Sequence, residues 1–396
     1  MTQWLSQRTF RTAAAVASVG MLAAVAACGG SSDSGDGTIV IGYSAGLSGG
    51  AAEYGVNVQN GLKMAIDELN DEGVEIDGKK YTVKLESLDD QYQPGTTGTN
   101  VQRLVEKEGA SVVFVPHAGG IKAAQELNSG RTEFLVGAYS SDPAILDSDN
   151  DLTVMIPPSF DSYVQPFIDK VKTKENAKLG LMATASEFGQ EWTKTTIEKW
   201  EASGGEVLPK NNIDYGTVSD FAGPVAKTLA GKPDVILVGG PSQPTALLIE
   251  EARKQGFKGA FLIIDQAKFE ELEEFTDPKN LNNSVGIMPL PLFEGTEKFI
   301  ADYKEKYSSK KPVNADIALN YQALPIFIEA MKIAKSTDDP KAIREAMGEA
   351  VKSVNGVFFV PDRISEKGHL QAEGLQAAYR NADGEYEPFA IEQPEE

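Results

Sequence analysis

TIVIGYSAGLSGGAAEYGVNVQNGLKMAIDELND, residues 38–71, carries two different periods in one stretch. Residues 38–44 form a short apolar run rich in Val and Ile, closed by small residues, which reads as a buried strand. Further on, Val58, Leu62, Ala65, Ile66 and Leu69 fall on one helical face, with Asn60, Lys63, Asp67 and Glu68 elsewhere. A strand, a glycine-rich loop and a helix make up half of a parallel βαβ unit.

The same exchange recurs along the chain. Strand-like runs appear at 81–90, 111–117 and 133–140, and a second set at 177–185, 205–213, 233–241 and 259–265. Helical periods fit 188–203, 219–230 and 243–255 between members of that second set. IPPSFDS at 156–162 breaks the pattern between the sets, and SVGIMPLPLFEG at 284–295 and NGVFFVPD at 355–362 read as further crossings. Ile317, Tyr321, Leu324, Ile328 and Met331 predict a long amphipathic helix, and the Ala-Asp-Gly of AAYRNADGEYEPF predicts a terminal hairpin. The expected fold is α/β: two Rossmann-like lobes with central, mainly parallel sheets and three hinge crossovers. Lobe 1 is expected over 38–158 plus 291–356, and lobe 2 over 159–290 plus 357–396. Ligands in open α/β sheets bind beyond the carboxyl ends of the strands, so two facing lobes make a cleft that closes by hinge motion.

The first residues read as an export segment. Arg8 and Arg11 are the only charges before residue 28, and an alanine-rich apolar run from Ala13 to Ala27 follows. That run is shorter than the roughly 20 residues that span a bilayer, as in a signal peptide over residues 1–27. It exits through Val25-Ala26-Ala27-Cys28, which resembles a bacterial lipobox, and a Gly/Ser-rich tether over 28–37 follows. The expectation is a lipid anchor on Cys28, the sole cysteine, placing the protein on the extracytoplasmic face of a membrane. An ordinary signal peptide with a chance cysteine is the alternative. With Cys28 so used, no thiol remains for disulfides or thiolate ligands, and two histidines, His117 and His369, argue against a His-rich metal site. No metal and no cofactor are expected. Loss of Arg8 and Arg11 takes the net charge from −21 to −23, a poor match to nucleic acid.

Gly-rich strand exits carry the candidate binding residues. The loop SAGLSGGAAEYG at 44–55 lets backbone N–H groups approach a ligand, and Tyr54 can cover an apolar part of it and donate a hydroxyl. PHAGGIKAA at 116–124 repeats the arrangement: His117 ends a strand, Gly119 opens a helix, and the exposed N–H groups there would bind a carboxylate. His117 could equally be a packing residue. Ser140 and Ser141 offer hydroxyls, whereas Asp142, before Pro143, suits a turn or cap. In the second set, Phe188 and Pro241 stand at strand exits, and Asp265 suits either a helix cap or an ion pair to a ligand ammonium group. GYSAG at 42–46 also matches G-x-S-x-G, with His369 downstream, as in an α/β-hydrolase esterase. The context argues against it, because Ser44 lies on the first strand and Leu47-Ser48-Gly49-Gly50 delay the helix.

IGYSAGLSGGAAEYG, NGLKMAIDELND, YTVKLESLDDQYQP, SSDPAIL and SEFGQEW together resemble type I periplasmic binding proteins of the leucine/isoleucine/valine type, the receptors of branched-chain amino acid ABC transporters. The resemblance covers about residues 38–390. It implies no catalysis, a monomer, an ABC permease as partner, and a small amino-acid-like ligand gripped between lobes. It also implies a carboxylate held at Gly119 and Ser141, with Tyr139 nearby, and an α-amino group held by Asp265. Tyr54 matches a pocket tyrosine, Phe188 stands where tyrosine is frequent, and Pro241 replaces a pocket aromatic. A serine is common where this chain has Gly119. The first-lobe disulfide of the family has no cysteines here. An amide, urea or aromatic acid as ligand, or a sensory role, are the alternatives.

Overall fold

Val112 to Val115 show why the chain builds sheets buried on both sides. All four side chains are fully buried: Val112 and Phe114 join a core on one face, Val113 and Val115 a core on the other. A strand packed on both faces reads as a continuous apolar run, the signature of parallel sheets covered by helices. The computed structural model describes residues 37–128, 132–148 and 150–392. The expected signal peptide, Cys28 and all but the last residue of the expected tether lie outside the described residues.

The first sheet contains β1 (Gly37–Ala45), β2 (Val74–Ile76), β3 (Lys79–Asp89), β4 (Val112–Val115), β5 (Leu135–Ala138) and β6 (Thr153–Met155). Their order is β2-β3-β1-β4-β5-β6, parallel except for β2 against β3. The second sheet contains β7 (Lys178–Ala183), β8 (Glu206–Val207), β9 (Val235–Gly239), β10 (Ala260–Ile263) and β11 (Ser284–Ile287). After a small hairpin of β12 (Arg363–Ile364) and β13 (Leu370–Gln371), it is completed by β14 (Gln376–Arg380) and β15 (Tyr386–Ala390). The order is β15-β14-β11-β10-β9-β7-β8, with only the β11–β14 and β14–β15 pairings antiparallel. The C-terminal hairpin is therefore present, and the expected strand at 205–213 shrinks to β8 plus a single bridge from Ile213 to Thr184.

In each sheet the chain reverses direction beside its first strand: β3 and β4 flank β1, and β8 and β9 flank β7. Loops that leave adjacent strands toward opposite sides open a crevice there, the topological switch point where α/β ligands bind. The helices are α1 (Ala52–Glu72), α2 (Pro94–Glu106), α3 (Ala118–Leu127), α4 (Asp161–Val171), α5 (Glu187–Ala202), α6 (Ala222–Leu229), α7 (Ser242–Lys254), α8 (Phe269–Phe275), α9 (Glu297–Tyr307), α10 (Ala315–Ala334) and α11 (Pro340–Ala350).

Helix α10 differs from expectation. Its residues are buried on nearly every side rather than along one stripe, because it is packed between α1 and α11. Its approach to α1 is close enough that a Cβ on Gly61 would lie 2.3 Å from the Ile317 carbonyl oxygen. The chain crosses between the sheets three times. The last transfer is later than the sequence suggested. The β12–β13 hairpin still belongs to the first sheet's edge, where Met155 pairs with His369 and donates its N–H to the Gly368 carbonyl at 2.9 Å. Only at β14 does the chain enter the second sheet.

Candidate functional site

Ser44, near the carboxyl end of β1, is buried and donates to Asp90 Oδ2 at 2.9 Å, and Asn100 donates to Ser44 Oγ at 3.1 Å. His369 stands instead at the Pro157 carbonyl, 3.0 Å away. The esterase arrangement therefore fails: the serine donates to a carboxylate and has no imidazole base. Asp90 also accepts from Thr97 Oγ1 at 2.9 Å and from the Tyr92 N–H at 2.8 Å, and lies 3.1 Å from His117 Nε2. These bonds fix the loop after β3.

His117 ends β4's loop and caps α3 with its own ring, accepting the Gly120 N–H on Nδ1 at 3.0 Å. That bond puts the ring proton on Nε2, directed at Asp90. The helix terminus expected to offer free N–H groups to a carboxylate is thus partly used. Pro94 and Glu187 crowd it further: a Cβ on Gly119 would lie 2.7 Å from Pro94 Cγ and 3.1 Å from Glu187 Oε2.

The strand exits of the two sheets line a chamber. Tyr54, His117, Tyr139, Ser140, Ser141, Phe188 and Asp265 all line it. Gly119 and Pro241 do not; they line a neighbouring outer cavity. Tyr92, His117 and Phe188 line both, so they form the wall between them. Tyr92 stacks on His117, with centroids 4.6 Å apart, and accepts a hydrogen bond from Gln266 Nε2 across the cleft at 2.9 Å.

Asp265, just beyond β10, accepts from the Trp192 indole at 3.0 Å. Burial raises its pKa; Ser141, Lys268 and Trp192 oppose that rise. The Ser141 hydroxyl approaches it without closing a well-aligned hydrogen bond. Asp142 caps the short turn after Pro143 by accepting the Ala144 N–H at 3.0 Å, the structural role expected of it, and burial pushes its carboxyl up to about 6.

Several lining residues carry no sequence signal for binding. Lys268 is 3% exposed and pairs with Asp316 Oδ1 at 2.9 Å, where Tyr139 also donates at 2.8 Å. Burial works against the Lys268 charge, and Asp316, with Asp265 and Glu271, more than offsets it, so the ammonium pKa rises. Beside them Glu271 accepts from Asn57 at 2.5 Å, from Asn314 at 2.6 Å and from Ser242, linking α1 and the start of α10 to α7 and α8. Burial, and then Asp316, push Glu271 up to about 8. Tyr163 on α4 also faces the chamber. Trp192 was discoverable, since it lies one helical turn from Phe188 and on the same face. Asp316 reads in sequence as an ordinary first-turn acid of α10. Among the described residues, no group of three or more His, Cys, Asp or Glu is placed to hold a metal ion.

A sequence model of the family described as periplasmic binding protein matches residues 38–384. A protein of Brucella abortus called Leu/Ile/Val-binding protein homolog 1 is 25% identical over 384 residues, covering 92% of this chain and 96% of its own. The leucine-binding protein of Thermotoga maritima superposes with a TM-score of 0.75 at 20% identity, over 90% of this chain and 99% of that one. The branched-chain amino acid transporter substrate-binding protein of Streptococcus pneumoniae, solved in complex with isoleucine, gives 0.74 at 22% identity, over 90% and 100%.

Proposed function

This chain belongs to the periplasmic binding protein family, and from that premise we propose that it captures a small amino-acid-like solute between two lobes and delivers it to an ABC permease. One observation carries the reading: a single chamber is walled by strand exits of both sheets, Tyr54, Tyr139 and Ser141 from the first and Phe188 and Asp265 from the second. A solute there contacts both sides only when they are together, so its binding energy favours the closed state. The isoleucine held by the Streptococcus pneumoniae neighbour supports a ligand of that size. Lobe 1 in this reading is the first sheet with α10 and α11, and lobe 2 the second sheet with α4 to α8. The chemistry this reading needs is binding alone; Ser44 donates to Asp90, and His117 and His369 lie at Asp90 and the Pro157 carbonyl.

Acylation of Cys28 would hold the receptor on the outer face of the membrane and keep it close to its permease. Among the described residues no helix is long and apolar enough to cross a membrane. The solute role is tested by a thermal-shift screen of amino acids, amides, urea and aromatic acids on the purified protein. A saturable rise in Tm that Phe188→Ala abolishes supports it; no rise with any of these classes refutes it. The anchor is tested by globomycin, whose failure to block processing would remove it.

A further inference from the structure

One short segment on the second sheet's side, residues 266–271 between β10 and the first turn of α8, reaches repeatedly across to the first. Gln266 Nε2 donates to the Tyr92 hydroxyl at 2.9 Å, and Lys268 Nζ bonds Asp316 Oδ1 at 2.9 Å. Glu271 Oε1 accepts from Asn57 Nδ2 at 2.5 Å and from Asn314 Nδ2 at 2.6 Å. Tyr92 follows β3, Asn57 lies on α1, and Asn314 and Asp316 open α10, which packs on α1. On its own side, Glu271 Oε2 meets the Ser242 hydroxyl at the start of α7, and Ser242 Oγ accepts the Lys268 N–H at 3.2 Å. Each of these bonds runs from protein to protein, so the segment joins the two sides by itself. The inference rests on the solute-binding reading above, in which those sides are the two lobes.

Glu271 gives this junction a dependence on protons. It is 4% exposed, and Asn57 is 8% exposed. Burial, and then Asp316, raise its pKa to about 8. The charged groups that face it are Asp316 from α10, Lys268 from the loop before α8 and Glu270 from α8 itself; α1 and α7 present the neutral Asn57 and Ser242. A protonated carboxyl keeps the same geometry: Oε1 still accepts from both amides, and the proton on Oε2 goes to Ser242 Oγ. With the lobes apart the carboxyl meets water, and its pKa falls back toward the ordinary carboxylate range. Closing therefore takes up a proton. Closure is favoured at low pH and weakens as pH rises toward the closed-state value of about 8.

We propose that residues 266–271 are a clasp that draws the two lobes together through protein contacts alone, and that a proton on Glu271 strengthens it. The receptor then opens more readily as its surroundings turn alkaline, a control on closure separate from the solute.

The test is small-angle X-ray scattering of the purified protein, dialysed free of solute, in steps from about pH 6 to about pH 9. The radius of gyration is read as a closed-to-open ratio, and unchanged far-ultraviolet circular dichroism separates opening from unfolding. In the wild type that ratio should fall by up to about tenfold per pH unit below about pH 8, the effect of one proton. Glu271→Gln, whose neutral amide copies the protonated carboxyl, should stay closed throughout. Asn57→Ala removes a donor of the first lobe from the clasp and should be more open than the wild type at about pH 6. A wild-type radius that does not change with pH overturns the inference. So does a Glu271→Gln protein that opens as the wild type does, because Glu270 would then carry the response, and so does an Asn57→Ala protein as closed as the wild type. All three leave the solute-binding reading standing. A negative thermal-shift screen beside the expected scattering removes the solute reading and leaves the clasp.

Discussion

Two tyrosine-to-phenylalanine substitutions in one chamber wall should differ several-fold in cost. Tyr139 is 4% exposed and its hydroxyl donates to Asp316 Oδ1 at 2.8 Å; Tyr54 is 9% exposed and donates to the Tyr139 carbonyl at 3.3 Å. The first bond reaches a buried carboxylate whose other oxygen meets no donor and whose one remaining side-chain partner is Lys268. A hydrogen bond to a charged group contributes about 1.5–3 kcal/mol, and removing it here leaves Asp316 less satisfied, so Tyr139→Phe should cost about 2–3 kcal/mol. The second bond is long and neutral, and Tyr54→Phe should cost about 0.5 kcal/mol or less. Both rings keep their place in the wall, so packing loss does not blur the comparison. The assay is urea unfolding of the ligand-free proteins, comparing midpoints at an unchanged m-value. By thermal melting the larger loss corresponds to about 3–4 °C for a cooperative unit of this length. Equal losses for the two variants, or a Tyr139→Phe loss below about 0.5 kcal/mol, would refute the assignment of Asp316 as a carboxylate dependent on its donors.

The folded-state pKa of Asp142, about 6, lies above its usual 3.8, so ionisation opposes folding and stability is lost as pH rises between those values. Asp142→Asn keeps the cap to Ala144 and should gain up to about 3 kcal/mol at pH 8, but nothing near pH 3, when urea midpoints are compared across pH. Lys268→Met strands Asp316 in a buried site and should cost about 3–5 kcal/mol in denaturant titrations, with part of the loss recovered by adding Asp316→Asn. Gly61→Ala would drive a methyl onto the Ile317 carbonyl, 2.3 Å away, and should cost about 1–3 kcal/mol by the same assay through forced separation of α1 and α10.

How far the sequence reaches can be judged element by element. Strands buried on both faces announce themselves as short apolar runs, so β1, β4, β7, β9 and β10 were legible, and the Ala-Asp-Gly turn marked the β14–β15 hairpin. Elements held by tertiary pairing were not. Strand β2 is three residues long and exists because it lies against β3, and β12 and β13 pair with each other at the edge of the first sheet. The same dependence delayed the last crossing: residues 363–371 contain no signal that they will join β6's edge rather than the second sheet. Helix α10 was read as one stripe because a helix packed on one side and a helix packed on several sides share the same 3.6-residue period; what differs is how many neighbours the fold supplies.

The site divides along the same line. Residues at strand exits could be nominated, because the switch-point geometry is a property of the α/β alternation itself. Tyr54, Tyr139, Ser141, Phe188 and Asp265 came together in one chamber for that reason. Gly119 and Pro241 sit at equally suitable exits but line the outer cavity; Tyr92 stands between, and its stacking on His117 and bond to Gln266 join loops 174 residues apart. The charged groups in and beside the chamber are more distant still from any local pattern. Lys268 is neutralised by Asp316 from another helix, and Glu271 takes its donors from Asn57, 214 residues away, and from Asn314. A glycine-rich strand exit is therefore visible in the sequence, whereas which ionised groups satisfy one another beside it is decided by the tertiary fold. Lys268, the lysine that lines the chamber among the described residues, is held by Asp316 Oδ1 and by the Asp265 and Gln266 carbonyls, three acceptors that no local pattern around residue 268 announces.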